Sequence, residues 1–193
     1  MERSDIIRAL ESLDKKAEKA SQDYETAAER GYSGVCIDCP FIPLFRALAR
    51  LDASVAGDAG CAIRTTREPY ESVDVVYGLG SSIGVASGFI EKGVAVVGDY
   101  ALAHSGLQGL INAIWQKREV VVVVLKNNMA AMTGGQAVPD LTKLLETLVR
   151  TRFIEVPGSV EEIESALNEE LAKPGSSAIV VSGRCAKIDK RIG

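Results

Sequence analysis

Residues 94–97 and 120–125 are unbroken apolar runs, the second reading Val-Val-Val-Val-Val-Leu. Neither alternates with polar side chains, so a strand built from either must be covered on both faces. That is the condition of a parallel sheet lying between helices. Short apolar runs at 33–37, 53–57, 73–77, 94–98, 120–126, 153–156 and 178–182 predict strands. Amphipathic stretches near 41–51, 81–92, 104–117, 139–149 and 159–172 predict the helices between them. Such alternation with short connections gives an α/β fold, a doubly wound and mostly parallel sheet flanked by helices. Ahead of it, residues 4 to about 30 predict an added N-terminal helix. Its narrow apolar seam (Ile6, Leu10, Leu13, Ala17, Ala20, Tyr24 and Ala27) suits docking on its own domain or on another subunit. The expected organisation is a helical extension over 1–31 and a single domain over 32–193.

Composition narrows the function. Twenty-two basic against 26 acidic side chains leave a formal charge of −4, which gives no electrostatic footprint for nucleic acid. No apolar run approaches the length needed to span a membrane. The opening Met-Glu-Arg-Ser-Asp is not a secretory leader, so the expected location is cytoplasmic. In a reducing compartment the four cysteines are expected as thiols or metal ligands, not disulfides.

In open parallel sheets, ligands bind beyond the carboxyl ends of the strands. Gly98-Asp99-Tyr100 follows the run at 94–97, and Lys126-Asn127-Asn128-Met129 follows the run at 120–125. An Asp and an Asn at neighbouring strand ends can offer oxygens to a hard cation, and Mg²⁺ commonly bridges such groups to phosphates. Gly78-Leu79-Gly80-Ser81-Ser82-Ile83-Gly84 leads into another helix, where backbone N–H groups can face an anion. A tight turn with no ligand is the plain alternative for that segment.

Gly98-Asp99, 27 intervening residues and then Asn127 resembles the thiamine diphosphate motif. The longer pattern, with His104-Ser105-Gly106, Asn112-Ala113 and Ala131-Met132-Thr133-Gly134-Gly135-Gln136, resembles the thiamine-binding domain of indolepyruvate ferredoxin oxidoreductases, from about Cys36 to Cys185. The resemblance implies the thiamine diphosphate-binding fold. It also implies that Asp99, Asn127 and the backbone carbonyl of Met129 hold Mg²⁺ against the diphosphate. Gly78, Gly80, Ser81 and Ser82 would line the cofactor pocket beside Gly98. His104 and Ser105 would cap the helix after the strand at 94–98, within reach of the cofactor. Gly134-Gly135-Gln136 would shape a loop over the pocket or form a simple turn.

All four cysteines fall after predicted strands: Cys36 and Cys39 after the first, Cys61 after the second and Cys185 after the last. Four thiolates converging there would suit a [4Fe–4S] cluster or zinc; uncoordinated thiols are the third reading. The spacing is similar to that of thiamine-binding subunits of 2-oxoacid:ferredoxin oxidoreductases, which implies the cluster.

Three positions depart from the family pattern. Phe41 stands where the motif after the cysteine pair has His, Tyr100 stands where a small residue follows the Asp, and Lys126 replaces an Asp. The resemblance implies one subunit of a 2-oxoacid:ferredoxin oxidoreductase of the indolepyruvate type. It would decarboxylate a 2-oxoacid oxidatively, pass electrons to the cluster and on to ferredoxin or a ferredoxin-like subunit, and release the acyl group to coenzyme A. A partner subunit would supply the pyrimidine-binding domain and its glutamate, so the chain is not expected to turn over alone. Two alternatives stand beside it: a subunit of a non-oxidative decarboxylase of the sulfopyruvate type, and a cofactor-binding module without turnover.

Overall fold

A computed structural model describes residues 34–185, and from Val35 onward these fall within one compact unit. The seam from Ile6 to Ala27 lies outside the described residues. Six strands form one sheet: β1 (Val55–Gly57), β2 (Val75–Val76), β3 (Gly93–Gly98), β4 (Val120–Lys126), β7 (Arg150–Glu155) and β8 (Ser177–Ser182), in the order β2-β1-β3-β4-β8-β7. Every pairing in it is parallel. A separate antiparallel ribbon joins β5 (Met129–Ala130) to β6 (Gln136–Ala137).

The apolar runs sit at the centre, as two-sided burial requires. Val94, Val96, Val121 and Val123 face one helical layer, made of α1 (Ile42–Leu48) and α6 (Val160–Ala172). Ala95, Val97, Val122 and Val124 face the other. That layer holds α2 (Ser82–Ala86), α3 (Asp99–Ala101), α4 (Leu107–Trp115) and α5 (Thr142–Leu148). Leu44, Phe45, Ile163 and Leu167 close the first layer without exposure, each worth roughly 1.5–3 kcal/mol of burial. The Ser159 hydroxyl caps α6 by accepting from the Glu162 N–H. At its other end the Lys92 ammonium donates to the carbonyls of Glu170, Lys173 and Gly175.

Several expectations need correction. No strand forms over 34–37: the Cys39 N–H turns back to the Cys36 carbonyl, Ile37 is fully exposed, and Pro40 offers no donor. The helix expected over 81–92 stops at Ala86, because i→i+3 bonds from Gly88 and Phe89 tighten the chain and the Ser87 hydroxyl competes for the Gly84 carbonyl. The helix expected from 104 starts five residues earlier, at Asp99. Extended Gly98 precedes it, and the Asp99 carboxylate accepts from the Tyr100 N–H. His104 and Ser105 therefore do not cap it. They lie in a π turn, Leu102–Gly106, that joins α3 to α4. The ribbon β5–β6 was not foreseen, since its strands have two residues each.

Candidate cofactor site at the strand ends

The chain leaves β1 toward β2 on one side, whereas β3 leads to β4 on the other. The carboxyl ends of β1 and β3 thus flank the point where the winding reverses, and a crevice opens there. A cavity of about 220 Å³ occupies it. Its walls come from Ala59, Gly60 and Cys61 after β1, Gly98, Asp99 and Tyr100 after β3, Asn127 and Met129 after β4, and Ala130–Thr133 of the ribbon. Phe41 and Leu79 complete it.

One end of the cavity is polar and tightly bonded. Asp99 is 9% exposed; its Oδ1 accepts from the Tyr100 N–H and its Oδ2 from the N–H groups of Asn127 (3.0 Å) and Asn128 (2.6 Å). Asn128 takes φ +60°, a left-handed turn that Asn tolerates. It lets the Asn127 Oδ1 accept from the Met129 N–H at 3.0 Å. The Met129 carbonyl accepts from the Ala131 N–H. Burial raises the Asp99 pKa, and the N–H bonds and the Lys126 charge only partly oppose it. Lys126 itself is committed to Asp140 at 2.8 Å, which holds that carboxyl well below the usual range. A buried carboxylate, an amide oxygen and a backbone carbonyl brought together at neighbouring strand ends are a donor set suited to a hard divalent ion.

The Gly/Ser turn behaves differently from expectation. The Gly80 N–H donates to Oδ2 of Asp58 at 2.8 Å and the Ser82 N–H to Oδ1 at 3.1 Å. The Gly78 N–H is taken by the Ser81 hydroxyl. Gly78, Gly80, Ser81 and Ser82 stand outside the cavity lining, and Leu79 is the residue of this turn that reaches it. Asp58 is 1% exposed; burial raises its pKa against the pull of the N–H bonds. Sequence reasoning missed it, although Gly57-Asp58 and Gly98-Asp99 are the same dipeptide at the ends of paired strands. Ser105 donates to the Leu79 carbonyl at 2.8 Å, so it acts on the wall behind the cavity. His104 is exposed, its ring 6.1 Å from that of Tyr100 and its Nδ1 3.2 Å from the Ser105 hydroxyl. Gly134 and Gly135 take positive φ at the ribbon tip, and Gln136 donates to the Thr133 carbonyl, so these three form the ribbon's turn beyond the lining.

A second, smaller cavity of about 30 Å³ adjoins the first through shared walls at Cys61, Ala131 and Met132. Cys36, Cys39, Cys61 and Cys185 all line it, with Arg64. Burial, reinforced by the three other sulfurs, pushes the Cys39 thiol up to about 12. Among the described residues no three His, Cys, Asp or Glu side chains are arranged to grip a metal ion. The cysteines share a cavity without forming a finished coordination site. Among the same residues no helix is long and apolar enough to cross a membrane.

A fold wound in this way, with a Gly-Asp and an Asn on adjacent strand ends, defines a class of diphosphate-cofactor domain. The chain belongs to the thiamine pyrophosphate enzyme family, C-terminal TPP binding domain, whose pattern it matches over residues 58–181. It is similar to indolepyruvate oxidoreductase subunit IorA of Archaeoglobus fulgidus, at 30% identity over 79% of this chain and 28% of that protein. The IorA subunit of Pyrococcus abyssi is 29% identical over 92% of this chain and 32% of its own length. The chain thus spans under a third of these relatives. In fold it is similar to a 2-oxoglutarate:ferredoxin oxidoreductase from Magnetococcus marinus, with a TM-score of 0.61 at 17% identity over 79% of this chain and 64% of that one.

Proposed function

We propose that the chain is the thiamine diphosphate-binding subunit of an indolepyruvate-type 2-oxoacid:ferredoxin oxidoreductase. The observation that carries this reading is the Asp99–Asn127–Met129 cluster at the polar end of an otherwise apolar cavity at the winding reversal. Asp99, the Asn127 side-chain oxygen and the Met129 carbonyl are the oxygens that would hold Mg²⁺, which would neutralise the diphosphate there. Thiamine diphosphate bound in this cavity supplies the carbon nucleophile and electron sink for decarboxylating a 2-oxoacid. Phe41, Leu79 and Met132 wall the rest of the cavity with apolar surface and keep water from the rings. A partner subunit contributes the pyrimidine-binding domain and its glutamate. The four cysteines hold a [4Fe–4S] cluster one wall away, for delivery to ferredoxin or a ferredoxin-like subunit, and coenzyme A takes the acyl group. The domain boundary near residue 31 belongs to the same proposal.

Calorimetric titration with thiamine diphosphate tests the reading: saturable binding that requires Mg²⁺ is expected, and no binding with Mg²⁺ present overturns it. The burial that holds the Cys39 thiol protonated favours one second reading, a non-oxidative decarboxylase subunit of the sulfopyruvate type whose cysteines stay thiols. Anaerobic iron and acid-labile sulfide analysis separates the two.

A further inference from the structure

The turn at 78–82 looks like an anion cradle, yet the N–H groups of Gly78, Gly80, Ser81 and Ser82 are already taken. Asp58 is all but inaccessible to water, and both its oxygens accept backbone N–H groups of that turn, from Gly80 and Ser82. The turn is pressed hard against the neighbouring helix. Gly80 has φ +76°, and a Cβ there would sit 2.0 Å from the Ser105 hydroxyl oxygen and 2.8 Å from the Gly106 nitrogen. Ser105 in turn donates to the Leu79 carbonyl. A continuous path of bonds therefore runs from the end of β1, through the turn, to the π turn three residues after Asp99. In sequence Asp58 is followed directly by Ala59, Gly60 and Cys61, which line the cavity after β1.

We infer that Asp58 is a positioning residue: by occupying the turn as an internal anion it sets Leu79 and the 59–61 segment as the wall for the cofactor's rings, and it leaves the diphosphate to the Asp99–Asn127 end alone. This inference rests on the thiamine diphosphate reading of the cavity. It separates two jobs that a glycine-rich turn at a helix start would ordinarily combine. Ring binding depends on Asp58; diphosphate binding does not.

The test is calorimetry on the full chain with Mg²⁺ and two probes, thiamine diphosphate and inorganic pyrophosphate, comparing wild type with Asp58→Asn. The amide presents a donor to one of the two N–H groups and leaves it without an acceptor. Thiamine diphosphate is expected to bind about tenfold or more weakly, with pyrophosphate unchanged within about twofold. Equal losses for both probes, or no loss for either, overturn the inference. Ser105→Ala removes the bond to the Leu79 carbonyl, along with the exposed contact to His104 Nδ1, and decides the matter if Asp58→Asn does not fold. A smaller loss confined to thiamine diphosphate supports the inference, and an unselective or absent loss overturns it. A wild-type chain that binds neither probe sinks the reading of the cavity itself; one that binds both puts only Asp58 at stake.

Discussion

The two adjoining cavities differ in how much of their work is done before any ligand arrives. At the polar end of the larger one, backbone N–H groups hold Asp99 from three residues and Asn127 is locked by its own turn. The oxygens are fixed by the fold, so a cation entering there reorganises little. In the smaller cavity four thiols share a space, but Cys36 is exposed, Cys39 is strongly held in its protonated form, and among the described residues no three such side chains are arranged to grip a metal ion. Soft ligands left unassembled require the incoming group to supply the order and to displace protons. Oxygen sites can thus be prepared by hydrogen bonds, whereas thiolates of like charge repel one another until a metal joins them.

The contrast can be broken at either end. The largest effect is expected at the cysteines. Anaerobic reconstitution should load about four irons with a broad absorbance that dithionite bleaches, and Cys61→Ala or Cys185→Ala should abolish it as fully as Cys36→Ala. Full iron content in the Cys185→Ala protein would remove that residue from the set. Next comes Asp99→Ala, which should weaken Mg²⁺-dependent thiamine diphosphate binding by about a hundredfold or more while circular dichroism stays native. Unchanged affinity in calorimetry would reassign the site.

The same carboxylate gives a pH dependence. Burial raises its pKa, and Mg²⁺ needs the ionised form. Binding should hold at neutral pH and fade as pH falls through that raised value, at a higher pH than for an ordinary aspartate. Affinity that persists to the ordinary Asp range would contradict this. The smallest change is expected from Tyr100→Ser: relief of a ring that lines the cavity should tighten thiamine diphosphate binding by about two- to fivefold. Weaker binding would make Tyr100 a contact in its own right.

The parallel sheet was legible because residues 120–125 admit no other burial, and β4 occupies Val120–Lys126 as expected. The oxygen end was legible for a related reason: strand ends are fixed by the runs before them, so Asp99 and Asn127 had to emerge side by side. The partner of the glycine turn was not legible because sequence shows donors but not what occupies them, and Asp58 lies 22 residues before Gly80. Over 34–37 no strand forms, because two β-branched residues close to Pro40 cannot outweigh a turn. The convergence of the cysteines was half visible. Their positions after strands brought Cys61 and Cys185 to the carboxyl edge, but nothing in the spacing sets how far apart sulfurs stay without a shared ligand.

The all-parallel sheet also has a history in time. No strand in it can pair with the next by a hairpin: Ala56 waits for Val75, Thr151 for Ala178, and Val122 for Ala178 about 56 residues later. Loops of this size must close before any ladder of the sheet forms, which makes for slow folding from a nascent chain. During that interval the valine run of β4 is the longest sticky segment on show. The interval ends only when β8, near the end of the described residues, seals its second edge.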